Sequence, residues 1–163
     1  MKEVLSDLAS YHLWADRRLL EAISKLPPEV PEREVESSFP SLRLTFEHML
    51  WSEQVWLQRL QMAEKVHIVP QPDRSFNELG SQLIHHNERV VEWIKDQKDI
   101  FFDHIIAYYN SKKQYYKQPV YQCLLQLFNH ATYHRGQIVT MLHELKITKI
   151  PATDYIVFKR TKK

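Results

Sequence analysis

Leu124-Leu125-Gln126-Leu127-Phe128-Asn129-His130-Ala131-Thr132-Tyr133-His134-Arg135-Gly136-Gln137-Ile138-Val139-Thr140-Met141 is the stretch on which the fold turns. Here and just beyond, Leu124, Leu127, Ala131, His134, Ile138, Met141 and Leu145 recur in steps of three and four, along one face of a helix. Pro119 suits the first turn of this helix, and Pro151 lies beyond its end. Upstream the same periodicity returns. Leu5, Leu8, Ala15, Leu19, Ala22 and Leu26 predict a first helix over residues 3–26. Leu44, His48, Trp51, Val55 and Met62 predict the inward stripe of a second over 41–64, and Phe76, Leu79, Leu83, Val90 and Ile94 that of a third over 75–97. Ser75 followed by Glu78 is a capping box, each side chain satisfying an exposed first-turn amide.

Between the helices, proline sets the connections. Pro27, Pro28, Pro31 and Pro40 hold the first one extended, because proline lacks the amide donor and disfavours helix in the residue before it. Pro70 and Pro72 mark the second. From Ile100 to Tyr116, β-branched and aromatic residues alternate with polar ones around Asn110-Ser111-Lys112, which predicts a β-hairpin. Helices of roughly 33 to 42 Å, at about 1.5 Å per residue, match a bundle. The expected fold is all-α: a four-helix bundle with a small β-hairpin between helices 3 and 4, in one domain over residues 1–163.

Composition agrees. A chain of 163 residues, 44% apolar and 26% charged, can bury a core without staples, which excludes disorder and collagen-like order. Its two glycines argue against a turn-rich sandwich or barrel. Both, Gly80 and Gly136, fall inside helices, where glycine costs about 1 kcal/mol relative to alanine, so each predicts close approach of a neighbouring helix or a ligand. A net charge of +2 from 22 basic and 20 acidic residues is too small and too mixed to predict a nucleic-acid partner. The tail Lys159-Arg160-Thr161-Lys162-Lys163 reads as a solvated end. No apolar run reaches the roughly 18 residues of a membrane span, and Met1-Lys2-Glu3 opens into an amphipathic pattern with no signal-peptide core. The expectation is a cytoplasmic protein with no membrane partner. Cys123, the lone cysteine, reads as a buried small hydrophobe.

The chemistry lies in histidine. His130 and His134 stand four apart, so a helix brings both imidazoles within reach of one ion. His48 lies on the stripe of helix 2 between Leu44 and Trp51, where an uncompensated imidazole costs a few kcal/mol of desolvation. Each of the three, taken singly, also reads as a core histidine satisfied by one hydrogen bond. Taken together, with helices 2 and 4 adjacent, they converge on one divalent cation, and neutral nitrogen ligands suit Zn, Ni, Cu or Fe. Three protein ligands leave one coordination position open, as in catalytic sites.

Tyr11-His12-Leu13-Trp14-Ala15-Asp16, Phe46-Glu47-His48-Met49-Leu50-Trp51 and His130-Ala131-Thr132-Tyr133-His134-Arg135-Gly136-Gln137-Ile138 resemble the DinB-like (DinB/YfiT) family, as do the hairpin and Asp154-Tyr155-Ile156-Val157-Phe158. The resemblance implies a four-helix bundle, often dimeric, with a divalent metal, usually zinc or nickel, held by His48, His130 and His134. It further implies an enzyme that transfers a low-molecular-weight thiol such as bacillithiol to an electrophile; a mycothiol-dependent maleylpyruvate isomerase is among similar proteins. The expected partners are a small thiol, an electrophile and a second copy of the chain. A hydrolase, with water in the open position, and a non-enzymatic metal- or ligand-binding bundle are the alternatives. Family members often carry asparagine where this chain has His12.

Other residues take quieter readings. His12 and His86 lie on inward stripes as hydrogen-bonded interior residues, with a fourth ligand or general base as the alternative role. Glu47 and Glu144 point away by helical phase. Gln137, one turn beyond His134, faces the pocket or bonds a ligand imidazole, and Arg135 lies on another face as an ion-pair or capping partner. Trp14, Trp51, Trp56 and Trp93 read as core. A di-iron carboxylate site is rejected, because only Glu64-Lys65-Val66-His67 has the Glu-x-x-His spacing it needs twice.

Overall fold

Four long helices carry the chain: α1 (Lys2–Ile23), α2 (Leu42–Leu60), α3 (Phe76–Asp96) and α4 (Val120–Glu144). A hairpin of β1 (Ile105–Tyr109) and β2 (Tyr115–Pro119) joins α3 to α4, and a short α5 (Tyr155–Thr161) follows. The structure is a computed structural model and describes residues 1–71 and 74–161, so Pro72 and the last two lysines of the basic tail lie outside the described residues.

Local chemistry fixes the starts. Ser41 Oγ accepts from the Leu44 amide at 3.2 Å ahead of α2. The capping box forms: Ser75 Oγ accepts from the Glu78 amide at 3.3 Å, and the Glu78 carboxylate accepts from the Ser75 amide at 2.6 Å. The ends are less conventional. Met62 (φ 56°) and Lys146 (φ 65°) close α2 and α4 in the left-handed conformation usually given to glycine. Ala63 N bonds Gln58 O at 3.0 Å and Ile147 N bonds Leu142 O at 2.9 Å, the long bonds of two Schellman turns. Helix 2 therefore stops short of residue 64. The first connection is not extended throughout, since Val30–Glu32 form a 3-10 turn.

The hairpin is antiparallel with Tyr109 opposite Tyr115 and Ile105 opposite Pro119, so it lies a few residues later than the sequence predicts. Ile100 belongs instead to a 3-10 segment, Asp99–Asp103. Asn110 Oδ1 accepts from the amides of Lys112 and Gln114, both at 2.9 Å, and Lys113 takes φ 59°. Pro119 sits one position earlier than predicted, capping α4 rather than opening it.

Each of α1 and α2 packs against both α3 and α4, so the cyclic order is α1, α3, α2, α4. Two apolar clusters fill the interior. One gathers Leu19, Phe46, Met49, Leu79, Leu83, Ile138 and Met141, the other Leu5, Leu60, Val90, Ile94, Phe102 and Leu124. Between them, with members from each of the four long helices, lies a buried polar layer: His12, Asp16, Glu53, His86, Asn87 and Arg135.

Two apolar readings need correction. The predicted stripe of α2 is mostly out of phase: Val55 is buried as expected, but Leu44 is 40% exposed, Trp51 49% and Met62 69%, while Leu42, Phe46, Met49, Leu50, Leu57 and Leu60 are buried. Apolar residues occur all round this helix, so periodicity alone does not choose the face. Nor is any of the four tryptophans fully buried: Trp56 and Trp93 are half-buried and pack against the second core cluster, and Trp14 is half-buried as well. Gly80 matches its reading, because a Cβ there would meet Leu20 Cδ2 at 3.2 Å, whereas Gly136 has nothing within 4 Å. Among the described residues, no helix is long and apolar enough to cross a membrane.

Candidate metal centre

The adjacency of α2 and α4 brings the predicted trio together. His130 Nε2 lies 3.2 Å from His48 Nε2 and 3.0 Å from His134 Nε2. Nitrogens on arms of about 2.0–2.1 Å around a tetrahedral centre stand roughly 3.3 Å apart. The trio is therefore close to a preformed ligand face.

Proton positions support the same use. Gln137 Oε1 lies 2.7 Å from His134 Nδ1. A carbonyl oxygen only accepts, so His134 carries its proton on Nδ1 and turns a lone pair on Nε2 toward the other rings. Gln137 is itself held, its Nε2 donating to Tyr133 Oη at 3.1 Å and to Ser38 Oγ at 3.3 Å. Burial lowers the pKa of all three imidazoles, and neighbouring histidines lower His48 and His130 further, the latter to about 4. The rings are neutral at pH 7. One N–H on His130 can point at only one of its two neighbours, whereas a cation satisfies three lone pairs at once. The donor set fits a divalent metal.

Aromatic rings hold His48 in place. Phe39 stacks on it at 4.3 Å between centroids and 24° between planes, and Trp51 lies on it at 6.2 Å. Phe39 comes from the proline-rich connection, and no periodicity there marks it.

One layer inward, Arg135 Nη1 donates to Asp16 Oδ1 at 2.9 Å and to His12 Nδ1 at 3.1 Å. Its Nη2 donates to Thr132 Oγ1 at 2.7 Å, and Asn87 Nδ2 donates to Asp16 Oδ2 at 2.9 Å. Since arginine only donates, neutral His12 carries its proton on Nε2, which faces Glu53 Oε1 at 3.3 Å. Burial lowers the His12 pKa, but the carboxylates of Asp16 and Glu53 outweigh it and the net shift is upward. Burial raises the Glu53 pKa, an effect His12 beside it offsets only in part. His12, Asp16 and Glu53 also cluster closely enough to suggest a metal site. They do not fit one, because Arg135 occupies one His12 nitrogen and a proton the other.

The predicted roles sort cleanly. Gln137 bonds a candidate ligand as expected, and Arg135 is an ion-pair partner, although a buried one. His12 is a hydrogen-bonded interior residue. His86 is buried, and among the described residues its Nε2 has no hydrogen-bond partner. Glu47 pairs with Arg74 at 2.9 Å. Burial pushes the Cys123 thiol up to about 11, which suits an inert core residue. Sequence reasoning missed Glu53; its inward position follows from the true phase of α2.

Comparison with known proteins agrees with this architecture. A family model described as the DinB family matches residues 1–162. Protein DinB of Bacillus subtilis (strain 168) is 24% identical over 164 residues, spanning 95% of this chain and 93% of that protein. A crystal structure of a DinB-like protein from Bacillus cereus ATCC 10987 superposes with a TM-score of 0.66 at 20% identity, covering 88% of this chain and 91% of the other. A second, a DinB-like protein from Bacillus subtilis, gives a TM-score of 0.66 at 13% identity over 90% of this chain and 97% of the other.

Proposed function

This chain belongs to the DinB family, and from that premise we propose a metal-dependent, cytoplasmic enzyme that transfers a low-molecular-weight thiol to an electrophile. The observation that carries the reading is the convergence of His48, His130 and His134, with the His48 and His134 nitrogens 3.2 and 3.0 Å from His130 Nε2 and all three within 4.8 Å of one another. These residues would hold one divalent ion, zinc or nickel by family resemblance. When bound, such an ion keeps a thiol in its nucleophilic thiolate form at neutral pH.

The chain's own residues supply the rest. Gln137 fixes the His134 tautomer, Phe39 and Trp51 orient His48, and burial keeps the imidazoles unprotonated. In the transfer, sulfur bonds to an electrophilic carbon, the carbon–leaving-group bond breaks with its electron pair leaving on that group, and the thiol proton passes to solvent. The expected homodimer belongs to the same proposal.

Elemental analysis tests the site, and a thiol-consumption screen against electrophiles tests the reaction. The wild-type protein should carry about one divalent ion per chain, with consumption abolished by chelation and restored by added metal. His134→Ala should lose the ion while keeping its helical circular dichroism. Unchanged metal content in that variant removes the proposal.

A further inference from the structure

Beside the imidazoles, α2 presents two large apolar side chains that the core does not use, Leu44 at 40% exposure and Trp51 at 49%. They line a cavity of about 580 Å³ together with Phe39, Ile68 and Val69, and His48 forms part of the same lining. That volume lies within the range of small-molecule sites. The cavity thus touches the candidate metal centre through one ligand ring.

Its charges are already matched. Arg43 Nε donates to Glu32 at 2.6 Å, and Arg74 Nη2 donates to Glu47 at 2.9 Å. Among the described residues each lining guanidinium has its own carboxylate, so in metal-free protein an ionic ligand finds no unbalanced partner and would lose hydration on entering. What remains is apolar burial, at roughly 25 cal/mol per Å², and aromatic stacking on Trp51. Small thiols of the glutathione kind carry charged, hydrated bodies that gain little from such walls. The complementary substrate gains most.

We infer that this cavity seats the electrophile, and that the electrophile is an uncharged molecule with an aromatic or branched apolar body resting against His48. The inference rests on the thiol-transfer reading for the identity of the occupant, while the cavity's preference for uncharged apolar ligands stands on its lining.

Calorimetric titration with three probes of one shape tests it: neutral 4-nitrobenzyl alcohol, anionic 4-nitrobenzoate and cationic 4-nitrobenzylammonium. Each is titrated into protein as purified and after chelation. The deciding comparison is the chelated protein, where no metal charge stands beside His48: there the alcohol should bind at least about tenfold more tightly than either ion. Trp51→Ala and Leu44→Asp should each weaken it by about tenfold or more, and both positions are exposed enough to spare the fold. Ile156→Ala, 55% exposed and outside the cavity lining, should leave it unchanged. Failure of the alcohol to bind, including closure of the cavity by a second copy, overturns the inference. So does tighter binding of an ion, or equal binding by the Trp51 and Leu44 variants. Because binding is read without turnover, the two readings fail separately: thiol consumption without probe binding sinks only the cavity assignment, and probe binding without any thiol consumption sinks the enzyme.

Discussion

His86 shows how a single side chain can set a pH response. It is 5% exposed, its Nε2 has no hydrogen-bond partner among the described residues, and burial, followed by the charges of Arg89 and His12, pushes its pKa to about 4. The unfolded chain takes up a proton near the ordinary value of about 6.5. Between those values the unfolded state binds more protons, so stability is complete above about pH 6.5 and falls as pH drops toward 4, by up to about 1.4 kcal/mol per pH unit. Urea titrations across this range should show a fall to which His86 and His130, both held at about 4, contribute, and His86→Leu should reduce it by up to about 1.4 kcal/mol per pH unit. An unchanged slope in the variant would assign the acid response elsewhere. The candidate ligands were legible for reasons of the same scale: His130 and His134 declare themselves by spacing, and His48 by being polar among apolar neighbours. Phe39 and Glu53 were not, because an aromatic ring in a loop and a glutamate on a helix are ordinary until tertiary contact gives them partners.

Helix starts were written in the sequence more plainly than helix ends. Ser75 and Glu78 announce α3 because their side chains do the capping themselves. The ends of α2 and α4 carry no such sign, since Met62 and Lys146 adopt the left-handed turn that glycine would ordinarily mark. Conversely, Gly136 lies within α4 with open space where a Cβ would stand. Moving the glycine should therefore help twice. Gly136→Ala should gain about 1 kcal/mol of helix propensity, and Lys146→Gly should relieve about 1 kcal/mol of left-handed strain. Thermal melts of the single and double variants check both, with near-additive effects expected for sites this far apart in sequence. The phase of α2 was hidden for another reason: the exposed Leu44 and Trp51 line a cavity, so an apolar stripe marks the site as well as the core.

Across the whole molecule, α2 and α4 are held together by far more than three imidazoles. Phe46, Met49, Ala131, Ile138 and Met141 are buried in one continuous cluster above the polar layer, and a second cluster lies beyond it. Chelation should accordingly lower the melting temperature while leaving far-ultraviolet circular dichroism helical at 25 °C; unfolding on metal removal would instead make the ion a staple. The bundle class was legible because four periodic segments leave few other ways to bury their faces, whereas the cyclic order of helices was not, since hydrocarbon contacts require only proximity. The layer of His12, Asp16, Glu53, Asn87 and Arg135 is more demanding. Oily rods can be wound clockwise or anticlockwise at similar cost, but hydrogen bonds have direction. In the opposite winding, the side of α4 that meets α1 turns toward α2, so Arg135 loses the Asp16 carboxylate it meets here at 2.9 Å, and the loss of such directed contacts disfavours the mirror topology.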